Sequence, residues 1–289
     1  MISICIPTYN TDCSPLLDEL HNQKDFLDKD YEVIVLDDCS NLYQNLIEKK
    51  CTDNNFTYFR NDQNLGRVAT RVKLAKKSKY TYLLFIDADM IPKRKSFLKK
   101  YQDFIFSKDK VIFGGYAYKQ SENKAHFLRS NYGKKREEKK AKIRSKSPYK
   151  HIYSGNVLIE KKLFLETNHI DQNRYGLDHS FSISLKKLKI KPVHIDNETY
   201  HMGIERNVEF LEKSKEGVKT MFWMYKNNLM TEHDNNLVYT YKTIERWHLL
   251  GLFKKIGRLI IKPVERLLAK NKAPLFFFDF YRLYFFSIN

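Results

Sequence analysis

What this 289-residue chain lacks narrows it first. It has four cysteines, Cys5, Cys13, Cys39 and Cys51, all near the start, with no Cys-x-x-Cys pair and no histidine at zinc-finger spacing. A disulfide-stapled scaffold and a small zinc domain are thereby excluded. Cys5 and Cys39 read as small core residues near strand ends, as expected in a reducing, cytosolic setting. No stretch offers the ~20 consecutive apolar residues that span a bilayer. MISICIP lacks the basic leader of a signal peptide, and no repeat at solenoid periods occurs. Acids are also scarce: 34 Asp plus Glu face 52 Lys plus Arg, a formal net charge of +18. Such a field attracts polyanions, anionic lipid surfaces and phosphorylated substrates alike.

What is present is organised around residues 80–92, YTYLLFIDADMIP. A near-continuous apolar run is the pattern of a buried parallel strand, and ligands of open α/β sheets sit beyond the carboxyl ends of such strands. This run stops at Asp87-Ala88-Asp89. Carboxylates one residue apart suit a hard divalent cation that also keeps water and phosphate oxygens; ordinary turn chemistry is the other reading of the same residues.

The rest of the chain alternates. ISICIP (2–7) predicts a first strand closed by Pro-Thr-Tyr-Asn, and Ser14-Pro15 predicts the cap and first turn of a helix carrying Leu16, Leu20 and Leu27. YEVIVL (31–36) predicts a second strand ending in Asp37-Asp38-Cys39-Ser40, with a weaker third at 56–60. After the turn NDQNLG (61–66), Val68, Val72 and Ala75 recur at helical spacing among Arg67, Arg71, Lys73, Lys76 and Lys77. This order predicts a parallel sheet with right-handed crossovers. A helix is expected over 93–106, a strand with a Gly-Gly pair over 111–118, a strand over 153–159, helices over 161–167 and 180–188, and a last strand over 191–196.

Two stretches stand apart. Over residues 119–150 the composition shifts to charged and polar, with KKREEKKAKIRSK (134–146) almost without apolar residues, and the stretch reads either as a solvated insertion or as a basic lid over an anionic substrate. The tail carries an amphipathic helix (207–225, with Val208, Leu211, Val218, Phe222 and Tyr225 on one face) and a stripe of Trp247, Leu250, Phe253, Ile256, Ile260 and Leu267 among Lys254, Lys255, Arg258, Lys262 and Arg266. Pro263 is expected to kink or break that helix. The aromatic run LFFFDFYRLYFF (275–286) follows. A basic amphipathic segment with aromatic anchors suits a membrane interface, and equally a helix packed on the catalytic part or on a second subunit.

Four motifs in order, IPTYN (6–10), DDCS (37–40), NLGRVATR (64–71) and DADM (87–90), resemble the nucleotide-sugar-binding half of family 2 glycosyltransferases of the GT-A fold. The likeness covers about the first 120 residues well and runs loosely through YGLD (175–178) to His201. It implies a Rossmann-like, mostly parallel α/β sheet flanked by helices, with a catalytic domain over 1–205 (a donor half, 1–120, and an acceptor half, 121–205). A helical, basic-aromatic extension over 206–289 lies outside it.

The resemblance also assigns roles. Pro7, Thr8 and Asn10 would line the nucleoside pocket, Asp38 would accept from the imide N–H of a uracil-like base, and Asn64 and Gly66 would bring backbone close to the nucleotide. Arg71 would reach the base or phosphates, Asp87 would sit near ribose and metal, and Asp89, with His201, would hold Mn2+ or Mg2+. Asp178 would be the general base, in a turn where Leu177 replaces the family's usual Glu, and Ser154-Gly155-Asn156 would face the acceptor. The implied activity is inverting transfer of a sugar, hexosyl or N-acetylhexosaminyl, from a UDP-linked donor to a glycan or lipid-linked glycan. A bacterial surface polysaccharide or lipopolysaccharide pathway would fit, with the enzyme peripheral at the inner face of the cytoplasmic membrane. Two rivals are weaker. A nucleotidyltransferase would show a glycine-rich loop where IPTYN stands. A nucleic-acid-binding module would gather its basic residues in a stripe with interleaved aromatics, so no nucleic-acid partner is expected.

Overall fold

The computed structural model describes residues 1–24, 30–105, 107, 109–119, 123–168, 178–270 and 273–289. In chain order the elements are β1 (Ile2–Thr8), α1 (Ser14–His21), β2 (Tyr31–Asp37), α2 (Gln44–Asp53), β3 (Thr57–Arg60), α3 (Arg67–Lys77), β4 (Tyr82–Ile86), β5 (Met90–Pro92), α4 (Phe97–Gln102), β6 (Val111–Phe113), β7 (Tyr116–Ala117), α5 (Phe127–Tyr132), α6 (Ala141–Arg144), β8 (Asn156–Glu160), α7 (Lys161–Thr167), α8 (Asp178–Lys187), β9 (Val193–His194), β10 (Thr199–His201), α9 (Asn207–Lys226), α10 (Asn236–Arg246), α11 (Leu250–Lys270) and α12 (Leu275–Ile288). They form two compact units, one of residues 1–118, 138–173 and 185–203, the other of 119–137, 174–184 and 204–289.

The first unit holds a seven-stranded sheet in the order β3-β2-β1-β4-β8-β6-β9. β1 is buried along nearly its whole length and pairs in parallel with both β2 and β4, as its unbroken apolar run requires. The chain moves outward from β1 to β2 and β3, then returns to β1's other side as β4. That reversal opens a crevice at the carboxyl ends of β1 and β4. The sheet is mostly parallel, as expected, but β8 runs antiparallel to both β4 and β6. The expected strand over 111–118 divides at its Gly-Gly pair. β6 stays in the large sheet, whereas β7 joins β5 and β10 in a three-stranded sheet, where β10 is antiparallel to β5 and parallel to β7.

Several local expectations are corrected. Helix α1 is capped at Cys13 and begins at Ser14, whose N–H bonds the Asp12 carboxylate at 2.9 Å; Leu27 lies outside the described residues. The helix expected over 93–106 shortens to α4. Cys39 is not core: it is half-buried in a left-handed turn at φ 65°, whereas Cys5 is fully buried and its thiol is pushed up to about 12 by burial.

The charged stretch 134–146 is neither wholly solvated nor loose. Arg144 on α6 is completely buried. Its guanidinium donates to the carbonyls of Lys139, Phe113, Gly114 and Ile195 and to His194 Nδ1. Asp196 Oδ1 meanwhile accepts from Ala141 N at 2.7 Å. A guanidinium can be buried this way because its planar fork meets so many acceptors at once.

The second unit is helical. Phe210 and Leu211 of α9, Val264 and Leu268 of α11, and Leu275, Phe278 and Tyr281 of α12 form one core with Leu128 of α5. Val218, Met221 and Met224 of α9, Val238 and Tyr241 of α10, and Phe286 of α12 form another with Ile183 of α8. The aromatic run of α12 is therefore mostly interior to this unit, with Phe278, Tyr281 and Phe286 at 1% exposure or less. Val208, expected on the inner face of α9, is instead exposed. The helix expected to carry the stripe from Trp247 to Leu267 is α11, which starts at Leu250 after α10 ends at Arg246 and continues through Pro263. Among the described residues no helix is long and apolar enough to cross a membrane.

Candidate active site

The site is built where β1, β2 and β4 end. The backbone N–H of Asp38, just past β2, bonds the carbonyl of Thr8 at the end of β1. Asn10, in the left-handed region at φ 48°, ties the two strand ends further. Its N–H donates to Ser40 Oγ at 2.8 Å, and its Oδ1 accepts from the N–H groups of Asn41 and Leu42. Thr8 is buried and donates its hydroxyl to Thr11 O, and Pro7 is half-buried within β1. Pro7 and Thr8 thus shape the strand end, and Asn10 braces it.

Asp38 has a structural task here. Its carboxylate is buried and faces the loop between β3 and α3. Asn61 Nδ2 and Leu65 N donate to Oδ1 at 2.8 and 2.9 Å, and Gly66 N donates to Oδ2 at 2.8 Å. Of the roughly four lone-pair directions a carboxylate offers, one on Oδ2 is left. Asn64 donates to the Asp38 carbonyl at 3.3 Å. Gly66, at φ 83°, caps α3 in a conformation that only glycine adopts without strain. Asp38 thereby fixes where α3 begins.

That placement aims Arg67 and Arg71, one helical turn apart, at the end of β4. Arg71 is 5% exposed, so it is no solvated helix charge. It is ion-paired to Asp87 Oδ1, while Arg67 reaches Asp87 Oδ2 at 3.0 Å. Both arginines also donate to Ser154 Oγ, at 2.8 and 3.2 Å. Burial alone would raise the Asp87 carboxyl, but Arg67, Arg71 and His201 outweigh it and hold the group below the usual carboxylate range. Asp87 is therefore a fixed anion between two cations.

Two residues on, Asp89 turns the other way. The chain enters β5, whose Met90 stands opposite His201 of β10, and His201 Nε2 lies 3.0 Å from Asp89 Oδ2. Residues 112 positions apart meet because β5 and β10 share the small sheet. The His201 ring packs near Tyr116 and edge-on to Tyr118, at centroid distances of 6.1 and 5.7 Å. Two ligands in adjacent positions around an octahedral ion, each ~2.1 Å from it, lie ~3.0 Å apart. The contact is a hydrogen bond, and the two atoms that make it, an acidic oxygen and an imidazole nitrogen, are also donors that would hold a divalent cation in its place, with the remaining ligands from water and phosphate. Among the described residues there is no group of three or more His, Cys, Asp or Glu side chains able to hold a metal, so Asp89 and His201 would need those outside ligands.

Sequence reasoning missed Gly203 altogether and gave Gly155 an acceptor-facing role, not the one it has here of making room. A Cβ on Gly203 would stand 2.1 Å from Asp89 Oδ2, and one on Gly155 would stand 2.4 Å from Asp87 Oδ2. It also missed Tyr116, whose hydroxyl accepts from Gly155 N at 3.0 Å, and Arg67 as a partner of Asp87. The i, i+4 spacing of Arg67 and Arg71 was the available signal. Asn156, expected to face an acceptor, is fully buried, bonding Tyr101 and the carbonyls of Gly115 and Asn197. Asp178 opens α8; its side chain, and the Tyr175-Gly176-Leu177 turn before it, lie outside the described residues.

The sequence profile "Glycosyl transferase family 2" matches residues 3–166. Among solved structures, the mannosyltransferase PcManGT of Pyrobaculum calidifontis, in complex with GDP-Man and Mn2+, superposes with a TM-score of 0.61 at 12% identity, over 99% of this chain and 85% of that one. At that identity the likeness is one of fold. Glucosyl-3-phosphoglycerate synthase from Mycobacterium tuberculosis, in complex with Mn2+, UDP and glucosyl-3-phosphoglycerate, gives a TM-score of 0.47 at 14% identity, over 70% of this chain and 71% of that one. S. aureus TarS gives 0.44 at 16% identity over 75% of this chain, which spans only 39% of the TarS chain. No curated protein sequence matches.

Proposed function

The chain belongs to glycosyl transferase family 2, and from that premise we propose that it is an inverting, metal-dependent enzyme that moves a sugar from a nucleoside diphosphate donor to an acceptor hydroxyl. The observation that carries the proposal is the pair Asp89 and His201, 3.0 Å apart at the end of β4 beside an Asp87 clamped by two arginines. Breaking a sugar–phosphate bond leaves extra negative charge on the departing diphosphate, and Mn2+ or Mg2+, when bound, neutralises it as a Lewis acid. Asp89 and His201 would hold that ion, and Arg67 and Arg71 keep Asp87 ionised beside it.

A single displacement needs one base for the acceptor proton, and Asp178 takes that part. The donor is a uridine sugar, recognised through the acceptor direction left on Asp38 Oδ2, and the transferred group is a hexosyl or N-acetylhexosaminyl unit. The acceptor is a glycan, free or lipid-linked, of a bacterial surface polysaccharide or lipopolysaccharide, built at the cytoplasmic face of the membrane.

Thermal denaturation with UDP, GDP and their sugars, with and without Mn2+, tests donor and metal together, since a ligand bound only by the native state raises its stability. UDP with Mn2+ is expected to raise Tm and either alone to raise it less. Asp89→Ala should abolish the metal's contribution and the metal-dependent hydrolysis of the UDP-sugar. A shift by GDP and not UDP would sink the uridine assignment, and a metal response unchanged in Asp89→Ala would sink the metal site.

A further inference from the structure

Helix α11 is apolar on two sides. Its inner side is spent on the core of the helical unit: Val264 and Leu268 are buried, and Gly257 lies so close to α12 that a Cβ there would stand 2.2 Å from the Tyr284 ring. A second row, Leu252, Ile256 and Leu259, faces solvent at 56, 46 and 73% exposure. It begins beside Leu249 and Trp247 in the turn from α10, exposed at 47 and 72%. Spacings of three and four residues place Leu252, Ile256 and Leu259 in one line along the helix. An exposed apolar line of this length on a packed helix marks an interaction surface.

The charge beside the line identifies the occupant. Lys255, Arg258, Lys262 and Arg266 are all exposed and form their own row at the same spacing. Lys255 stands one turn from both Leu252 and Leu259, so the two rows are adjacent. Glu265, the acid of α11, is half-buried and engaged by Tyr281 and Lys215. A twofold interface with a second copy would bring this basic row against its own counterpart. An anionic bilayer surface accepts both rows, the leucines among acyl chains and the lysines and arginines among headgroups, with an exposed tryptophan at the boundary where that side chain is favoured.

We propose that the α11 face, Leu252, Ile256 and Leu259 with Lys255, Arg258 and Lys262, lies on anionic lipid and holds the protein at a membrane surface. In the aromatic run of α12, the more conspicuous lipid candidate in the sequence, Phe278, Tyr281 and Phe286 are buried and support this helix from within, and Phe276 is exposed. The inference stands whether or not the donor assignment above holds, because none of these residues belongs to the site at β4.

The test is flotation of the full chain with phosphatidylcholine vesicles, with and without about 30% phosphatidylglycerol. The wild-type chain is expected to float with the anionic vesicles and to stay in solution with the neutral ones. Leu252→Glu with Leu259→Glu should weaken binding about tenfold or more, as should Lys255→Glu with Arg258→Glu and Lys262→Glu. All substituted positions are exposed, so Tm and hydrolysis of a soluble nucleotide sugar should stay at the wild-type level. Equal binding to neutral vesicles, or binding untouched by the leucine pair, overturns the proposal. So does a chain that ignores both vesicle types but forms a dimer, by light scattering, that Leu259→Glu dissociates.

Discussion

Asp89 can meet His201 only because Gly203 has no side chain. Gly203→Ala would set a methyl 2.1 Å from Asp89 Oδ2 and 3.0 and 3.1 Å from its Cγ and Cβ, so the whole Asp89 side chain would have to swing away from His201. Mn2+ affinity should fall about tenfold or more while Tm without metal changes little; titration with Mn2+ and a thermal scan separate the two. The acids themselves were legible, because an apolar run ending in Asp-Ala-Asp is a local pattern. Their partners were not. His201 was placed only through family likeness, Gly155 was expected to face the acceptor and not to make room for Asp87, and Gly203 and Tyr116 entered no reading as site residues, since their roles arise from pairing of strands remote in sequence. Asp38 shows the converse: the motif around it was recognised, yet its three loop donors lie 23 to 28 positions downstream and were invisible.

Among the elements, a mostly parallel sheet followed from alternation, but the strand order and the direction of β8 did not, because an apolar run buried on both faces reads the same either way. Composition also misjudged the charged stretch around α6, where one arginine among many is interior. Arg144→Met would leave the carbonyls of Phe113, Gly114, Ile195 and Lys139 without their donor and should destabilise the chain by about 3 kcal/mol or more, measured by urea denaturation. His194 shares that cluster. Burial, with Arg144 beside it, lowers its value to about 4. The unfolded chain takes up this proton near pH 6.5 and the folded chain does not. The stability His194 contributes is therefore complete above pH 6.5 and is lost as pH falls toward 4. Denaturation midpoints across that interval should decline in the wild type and less in His194→Gln. Between α11 and α12 the contact at Gly257 is tight enough that Gly257→Ala should cost about 1–3 kcal/mol despite alanine's better helix propensity. No helical pattern announces that closeness.

For the whole molecule, periodicity could place an apolar stripe in the tail but not say what covers it, since a protein neighbour and a lipid surface select the same side chains. Only the packed unit separates α12, which is largely interior, from the outer row of α11. The net charge of +18 acts at longer range than either. The proposed donor, with its diphosphate, would approach down the protein's field, and Arg67, about half exposed beside Asp87, would extend that field to the mouth of the site. In the proposed mechanism, contacts at Asp89 and His201 would act on the bound donor at distances that salt barely screens. Raising ionic strength from about 0.1 to 1 M shortens the screening length from about 10 to 3 Å. KM for the donor should therefore rise severalfold while kcat holds. A salt series of initial rates checks this. A fall in kcat at constant KM would mean that the charge serves the chemical step and not the approach, and would move the role of the basic residues from steering to the site itself.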